Sequence, residues 1–165
     1  MAKKLIVTFT AEQYFAHYKD LAAEIPQEHR DHAEALVARV NPVLELAAAD
    51  GVRVLHNPFT GSRIAGNKGG GGYRIDDHGG ESNSKHKKGQ AVDIYDPYRE
   101  LADWCFKHRE SVLGEASADL YMEDPRWTTT WVHLQIVAPG SGRRVFIPHS
   151  RPPFTGPVPS QVGYV

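Results

Sequence analysis

The chain has 165 residues, 41% of them hydrophobic and 24% charged, a balance suited to one globular domain with a real core. Its formal net charge is −1, so bulk electrostatics makes no case for nucleic acid or for insertion at an anionic membrane. The single cysteine, Cys105, excludes an internal disulfide framework, and no apolar run approaches the roughly 20 residues that span a bilayer. The opening "MAKKLIVTFT" has two lysines but too short an apolar run for a signal-peptide core. The expectation is a monomer made in the cytoplasm.

Thr10 followed by Gln13 has the form of a capping box and predicts a short helix from about Ala11 to Ala22. Pro26 suits the first turn of a second helix. There Ala33, Leu36, Val37, Val40, Val43, Leu44 and Ala47 keep helical spacing until Asp50-Gly51 ends the run, and Pro42 is expected to kink it. "VRVLH", residues 52–56, reads as a strand. Beyond it, eight of the 15 glycines fall between Gly61 and Gly80. That composition fits a flexible linker, yet Tyr73, Arg74 and Ile75 interrupt it and strands are expected close on both sides, the pattern of a functional loop.

"AVDIY", residues 91–95, is a buried-strand pattern. Asp96-Pro97 then offers an N-cap and a first-turn proline to a helix carrying Leu101, Trp104 and Cys105, the cysteine acting as a small apolar residue. "DLYME", "WVHLQIV" and "RVFIP" predict three more strands. Helices first and a mostly antiparallel sheet after them define an α+β domain, with the N-terminal helices packed on the sheet. Residues 1–148 form that single domain, and 149–165 are a proline-rich tail, extended or draped.

The chemistry concentrates in "SNSKHKKGQAVDIYD", residues 82–96, where a lysine-rich run turns abruptly apolar. Three ligands of histidine or carboxylate type, with one position left to water, are the usual catalytic zinc set. His86 and Asp93 can supply two. His133 can supply the third, because alternation in its strand turns Trp131, His133 and Gln135 to one face and Val132, Leu134 and Ile136 to the core. Gly89 lets the chain turn between the first two ligands. Lys85, Lys87 and Lys88 read as solvated.

Ser84, His86, Gly89, Ala91 and Asp93 form S-x-H-x-x-G-x-A-x-D, and Trp131 and His133 form W-x-H. These motifs resemble those of the zinc D-Ala-D-Ala peptidase family, which includes VanY-type carboxypeptidases and L-alanyl-D-glutamate phage endolysins, and whose fold the Hedgehog signalling domain shares. "FTAEQYF", "HAEALVARVNPVL" and "WVHLQIVAPGSGRRVFIP" look like small phage- or prophage-type members, so the resemblance covers about residues 8–148. It implies that His86, Asp93 and His133 bind Zn²⁺. A His₂Asp set leaves the ion a formal +1, acidic enough to activate water against an amide carbonyl.

The resemblance also implies an arginine that binds the substrate peptide from a "SGYR"-like segment. "GGYR", ending at Arg74, is the closer match, and "TGSR", ending at Arg63, is the alternative. A guanidinium suits a carboxylate because it offers two parallel donors. Ser84 either hydrogen-bonds a ligand or substrate carboxylate or stabilises its turn, and Trp131 flanks the same substrate face. The pattern breaks at Thr130, where many members carry the glutamate that serves as general base. Threonine cannot shuttle a proton. Glu123 and Asp124 in "YMEDP" are the carboxylates left, with Glu123 the first choice, since it ends the preceding strand.

The implied activity is zinc-dependent hydrolysis of the peptidoglycan stem peptide, as a D,D-carboxypeptidase or endopeptidase, in phage-type lysis. The enzyme would reach the wall after release or as part of a virion. The alternative is a catalytically inactive zinc domain that binds cell-wall peptide or a protein partner, and Thr130 supports it.

Overall fold

The computed structural model describes residues 6–67, 70–75 and 83–148, so the 149–165 tail lies outside the described residues. The architecture is α+β, with helices on a four-stranded mixed sheet. Thr10 closes a reciprocal capping box: its hydroxyl accepts from Gln13 N at 3.1 Å, and its own N donates to Gln13 Oε1 at 3.0 Å. The helix that follows, α1 (Ala11–Tyr14), is a single turn rather than the expected Ala11–Ala22. A 3-10 stretch, Ala16–Glu24, replaces its continuation, with Tyr18 and Leu21 outside helical backbone angles. Tertiary packing explains the change. Phe15 and Tyr18 both pack on the Tyr73 ring, at centroid distances of 5.1 and 5.9 Å, and Tyr73 N donates to Tyr14 O at 3.2 Å, a carbonyl that an unbroken helix would pair with Tyr18 N.

Helix α2 (Gln27–Ala49) follows the predicted stripe, with Ala33, Leu36, Val40, Val43, Leu44 and Ala47 buried. Pro26 stands at its N-cap, and the helix runs through Pro42, the expected kink position, as one element. Asn41 ties the N-terminal segment to it, accepting from Phe9 N at 3.0 Å and donating to Phe9 O at 2.8 Å. Residues 52–56 are no strand. Side chains satisfy that backbone instead: Glu100 accepts from Arg53 N, and Arg63 donates to Val54 O.

Strands β1 (Ala91–Tyr95), β2 (Tyr121–Glu123), β3 (Trp131–Gln135) and β4 (Val145–Phe146) stand in the order β1-β3-β2-β4. β3 is antiparallel to both β1 and β2, while β4 joins β2 in parallel. Val92, Ile94, Met122, Val132 and Leu134 are buried in one cluster with the apolar stripe of α2 and with Leu101 and Cys105 of α3 (Glu100–Lys107). Alternation sends Asp93, Glu123, His133 and Gln135 to the other face. The expected Asp96 N-cap is displaced. Arg99, in left-handed backbone at φ 63°, occupies the cap, while the Asp96 carboxylate reaches forward to Leu101 N at 3.2 Å and Ala102 N at 2.8 Å. It still satisfies two of the helix's orphan donors.

The glycine-rich stretch packs where it is described. Ala65 N donates to Asp93 O and Asp93 N to Gly71 O, both at 2.8 Å, and Tyr95 N to Arg63 O at 2.7 Å, so the backbone of Arg63, Ala65 and Gly71 covers the outer edge of β1. Covering an edge strand removes an aggregation template. Gly72 is required by close approach, because a Cβ there would lie 2.4 Å from Tyr14 O. Among the described residues, no helix is long and apolar enough to cross a membrane.

Candidate metal centre

His86, Asp93 and His133 come together as a buried group, each offering a ligand atom within 4.8 Å of the others. Strand register accounts for half of this, since Asp93 and His133 are direct partners across β1 and β3. Directly opposed residues on one face bring their Cβ atoms to about 4.5–5.5 Å. His86 arrives from the short 3-10 turn Lys85–Lys88, which Gly89 ends in left-handed backbone at φ 73°. A Cβ on Gly89 would lie 2.3 Å from the His29 carbonyl of α2, so glycine is needed for both conformation and space. His32 Nδ1 meets Lys88 O at 2.8 Å and seats the turn on the same helix.

Asp93 Oδ1 lies 2.8 Å from His133 Nδ1 and 3.4 Å from His86 Nε2. Its Oδ2 lies 3.3 Å from the Arg74 guanidinium. The remaining ring nitrogens face oxygens that only accept: His86 Nδ1 has Gly72 O at 2.9 Å, and His133 Nε2 has Gln135 Oε1 at 3.0 Å. A proton on each of those nitrogens satisfies its oxygen partner, with Asp93 Oδ1 a second acceptor competing for the His133 proton. In that tautomer the lone pairs of His86 Nε2 and His133 Nδ1 converge on the Asp93 carboxylate, a His₂Asp donor set that could hold a metal ion.

Burial pushes the Asp93 carboxyl up, but the imidazoles of His86 and His133 outweigh it and hold the group well below the usual carboxylate range. Burial lowers His86 despite Asp93. For His133 burial also lowers, yet Asp93, Glu123 and Gln135 together carry the ring above its ordinary value.

The Glu123 influence on His133 follows from register. Tyr121 pairs with Gln135 and Met122 with Leu134, so the next position sets Glu123 opposite His133. Glu123 is 4% exposed. Asp93, His133 and Glu123 thus form one row across three adjacent strands. Asp124 leaves the row: its carboxylate is forked by Arg126, at 3.0 Å from Nε and 2.7 Å from the terminal nitrogen. Thr130 is exposed, and its carbonyl accepts from Asp96 N at 2.8 Å.

The two candidate arginines part company. Arg74 stands at the centre, bonded to Asp93 and to Gly70 O at 2.6 Å. Arg63 spends its guanidinium on the backbone carbonyls of Val54 and Ile6. Ser84 precedes the His86 turn, half-buried, and its carbonyl accepts from Lys87 N at 3.1 Å. Trp131 is half-buried on β3, paired with Tyr95. Of the three lysines expected in solvent, Lys87 is buried at 8% exposure, because the 3-10 turn points successive side chains around its axis rather than along one outer face. Two contributors went unassigned in the sequence, the Gly72 carbonyl and Gln135. Alternation had already placed Gln135 on the His133 face, whereas nothing local marks a carbonyl 14 residues before His86.

No protein-family model, curated protein or solved structure matches this chain. The family resemblance therefore rests on the motif residues themselves.

Proposed function

We propose that this protein is a zinc peptidase that hydrolyses peptide bonds in the D-amino-acid-containing stem peptide of bacterial peptidoglycan, as a D,D-carboxypeptidase or endopeptidase, in phage-type lysis. The observation that carries this reading is the row Asp93–His133–Glu123, which sets two metal ligands and a buried carboxylate side by side on one sheet face. His86, Asp93 and His133 would hold the ion. Zinc there would supply a Lewis acid that polarises the scissile carbonyl and acidifies water.

The protein's own groups supply the rest. Glu123 would take a proton on its carboxylate from the attacking water and return it to the leaving amine, work a buried carboxylate beside an imidazole suits. Arg74, bonded to Asp93, would orient the peptide by donating to a carboxylate or carbonyl of the substrate. Ser84 and Trp131 would flank that peptide.

The test is digestion of purified peptidoglycan with and without chelator, followed by mass spectrometry of the released fragments. Loss of a terminal D-alanine identifies the carboxypeptidase, and an internal cut the endopeptidase. Thr130 favours a second reading, a zinc domain that binds wall peptide or a protein partner without cutting. Retention on peptidoglycan with no released fragment would establish it.

A further inference from the structure

Gln135 lies two residues beyond His133 on β3, on the same face of the sheet and 4% exposed. Its Nε2 donates to Val137 O at 2.6 Å, and this fixes which way the amide points. Reversed, the amide would press two carbonyl oxygens together at that distance. Oε1 therefore faces His133 Nε2, 3.0 Å away, and can only accept.

We propose that Gln135 is a positioning residue that selects Nδ1 of His133 as its metal-binding nitrogen. The inference rests on the metal-centre part of the reading above and needs no peptidase activity. A neutral imidazole has one ring proton, and the partner of one nitrogen decides the state of the other. Asp93 Oδ1, 2.8 Å from Nδ1, draws that proton toward the ion's position. Gln135 draws it away, to Nε2, and leaves the Nδ1 lone pair beside Asp93. The corresponding proton on His86 is held by a backbone carbonyl, Gly72 O, which no side-chain substitution removes. Gln135 is therefore the side chain through which a substitution can change the partner of a ring proton.

Two variants separate this role from packing. Gln135→Met keeps the length and removes the acceptor, whereas Gln135→Glu loses the bond to Val137 but keeps an acceptor for Nε2. Zinc affinity of the full chain is measured by competition with a chromogenic chelator, and the His133 Nε2 proton is followed in ¹⁵N-edited spectra. Gln135→Met should bind zinc about 10- to 100-fold more weakly, as removal of such an outer partner typically does, and should lose the protected Nε2 proton. Gln135→Glu should keep that proton and bind within a few-fold of wild type or more tightly. A folded Gln135→Met with wild-type affinity and an unchanged ring signal overturns the inference alone. So does a Gln135→Glu variant as weak as Gln135→Met, which would shift the credit to the Val137 bond. A wild type that binds no zinc overturns the metal centre together with the inference. Because no substrate enters the experiment, an inactive protein that meets these expectations supports the inference while removing the peptidase reading.

Discussion

Replacing Glu123 by glutamine tests the proposed chemistry at one atom. The substitution keeps size and hydrogen-bonding reach, and it leaves the Asp93–His133 pairing of β1 and β3 untouched. It removes the carboxylate that β2 sets opposite His133, while Asp124 is bound in the Arg126 fork. General acid–base catalysis is worth about 10²–10⁴ in rate, or roughly 2.7–5.4 kcal/mol of barrier at about 1.36 kcal/mol per decade. Turnover of a soluble stem-peptide substrate, measured at saturating zinc and normalised to bound metal, should fall by that factor. Asp124→Asn makes the contrast. It loses charge from a bidentate pair and should appear as a lower melting temperature, with turnover per folded molecule unchanged. An active wild type whose Glu123→Gln variant is equally active would refute the assignment, and an effect larger in Asp124→Asn would move the base by one residue.

Three further outcomes are expected. Gly89→Ala should destabilise the fold, by about 1–2 kcal/mol for left-handed backbone alone and by more for the overlap with His29 O, read as a shift of the urea midpoint; an unchanged midpoint would contradict the packing at this turn. At saturating zinc, Arg74→Ala should raise KM about 10- to 100-fold, the worth of a hydrogen bond between charged groups, while Arg63→Ala should lower the melting temperature and leave KM alone; the reverse order would hand substrate binding to Arg63. Burial pushes Asp96 up from 3.8 to about 6, against the pull of Leu101 N and Ala102 N and with the help of Asp103, so this group's contribution to stability is full below about pH 4 and is lost as pH rises through 6. Asp96→Asn cannot titrate, so its stability relative to wild type should climb by up to about 3 kcal/mol between pH 4 and 7, and a flat difference would show that Asp96 titrates normally.

The parts legible in the sequence were those carried by local period and by side-chain identity. Helix α2 shows its buried stripe because 3.6-residue spacing is a property of the segment itself, and Asp93 and His133 lie on strands whose alternation names the inward face. The rest depended on distant partners. Residues 52–56 have the composition of a strand, but a strand needs an edge to pair with, and here Arg63 and Glu100 satisfy the backbone first. α1 gives way after one turn where Tyr73, more than fifty residues on, donates its N–H to Tyr14 O and packs its ring on Phe15 and Tyr18. Asp96 has the composition of an adjacent N-cap, yet the turn at Pro97–Arg99 lets it reach donors five and six residues ahead. The glycine-rich stretch resembles a linker by composition. Only the backbone of Tyr14 shows that Gly72 is a contact.

Thr130 looks like a missing catalytic group when it is judged by chain position. Judged by position on the sheet, it has less weight. Thr130 precedes β3, exposed, with its carbonyl committed to Asp96, whereas Glu123 belongs to a strand bonded to β3 and stands opposite His133 itself. A proton acceptor has to meet a point in space, and antiparallel pairing brings a residue ten positions upstream of His133 to that point as surely as a residue three positions upstream. On this reasoning threonine at 130 is compatible with the proposed activity, because the neighbouring strand sets a carboxylate, Glu123, opposite His133.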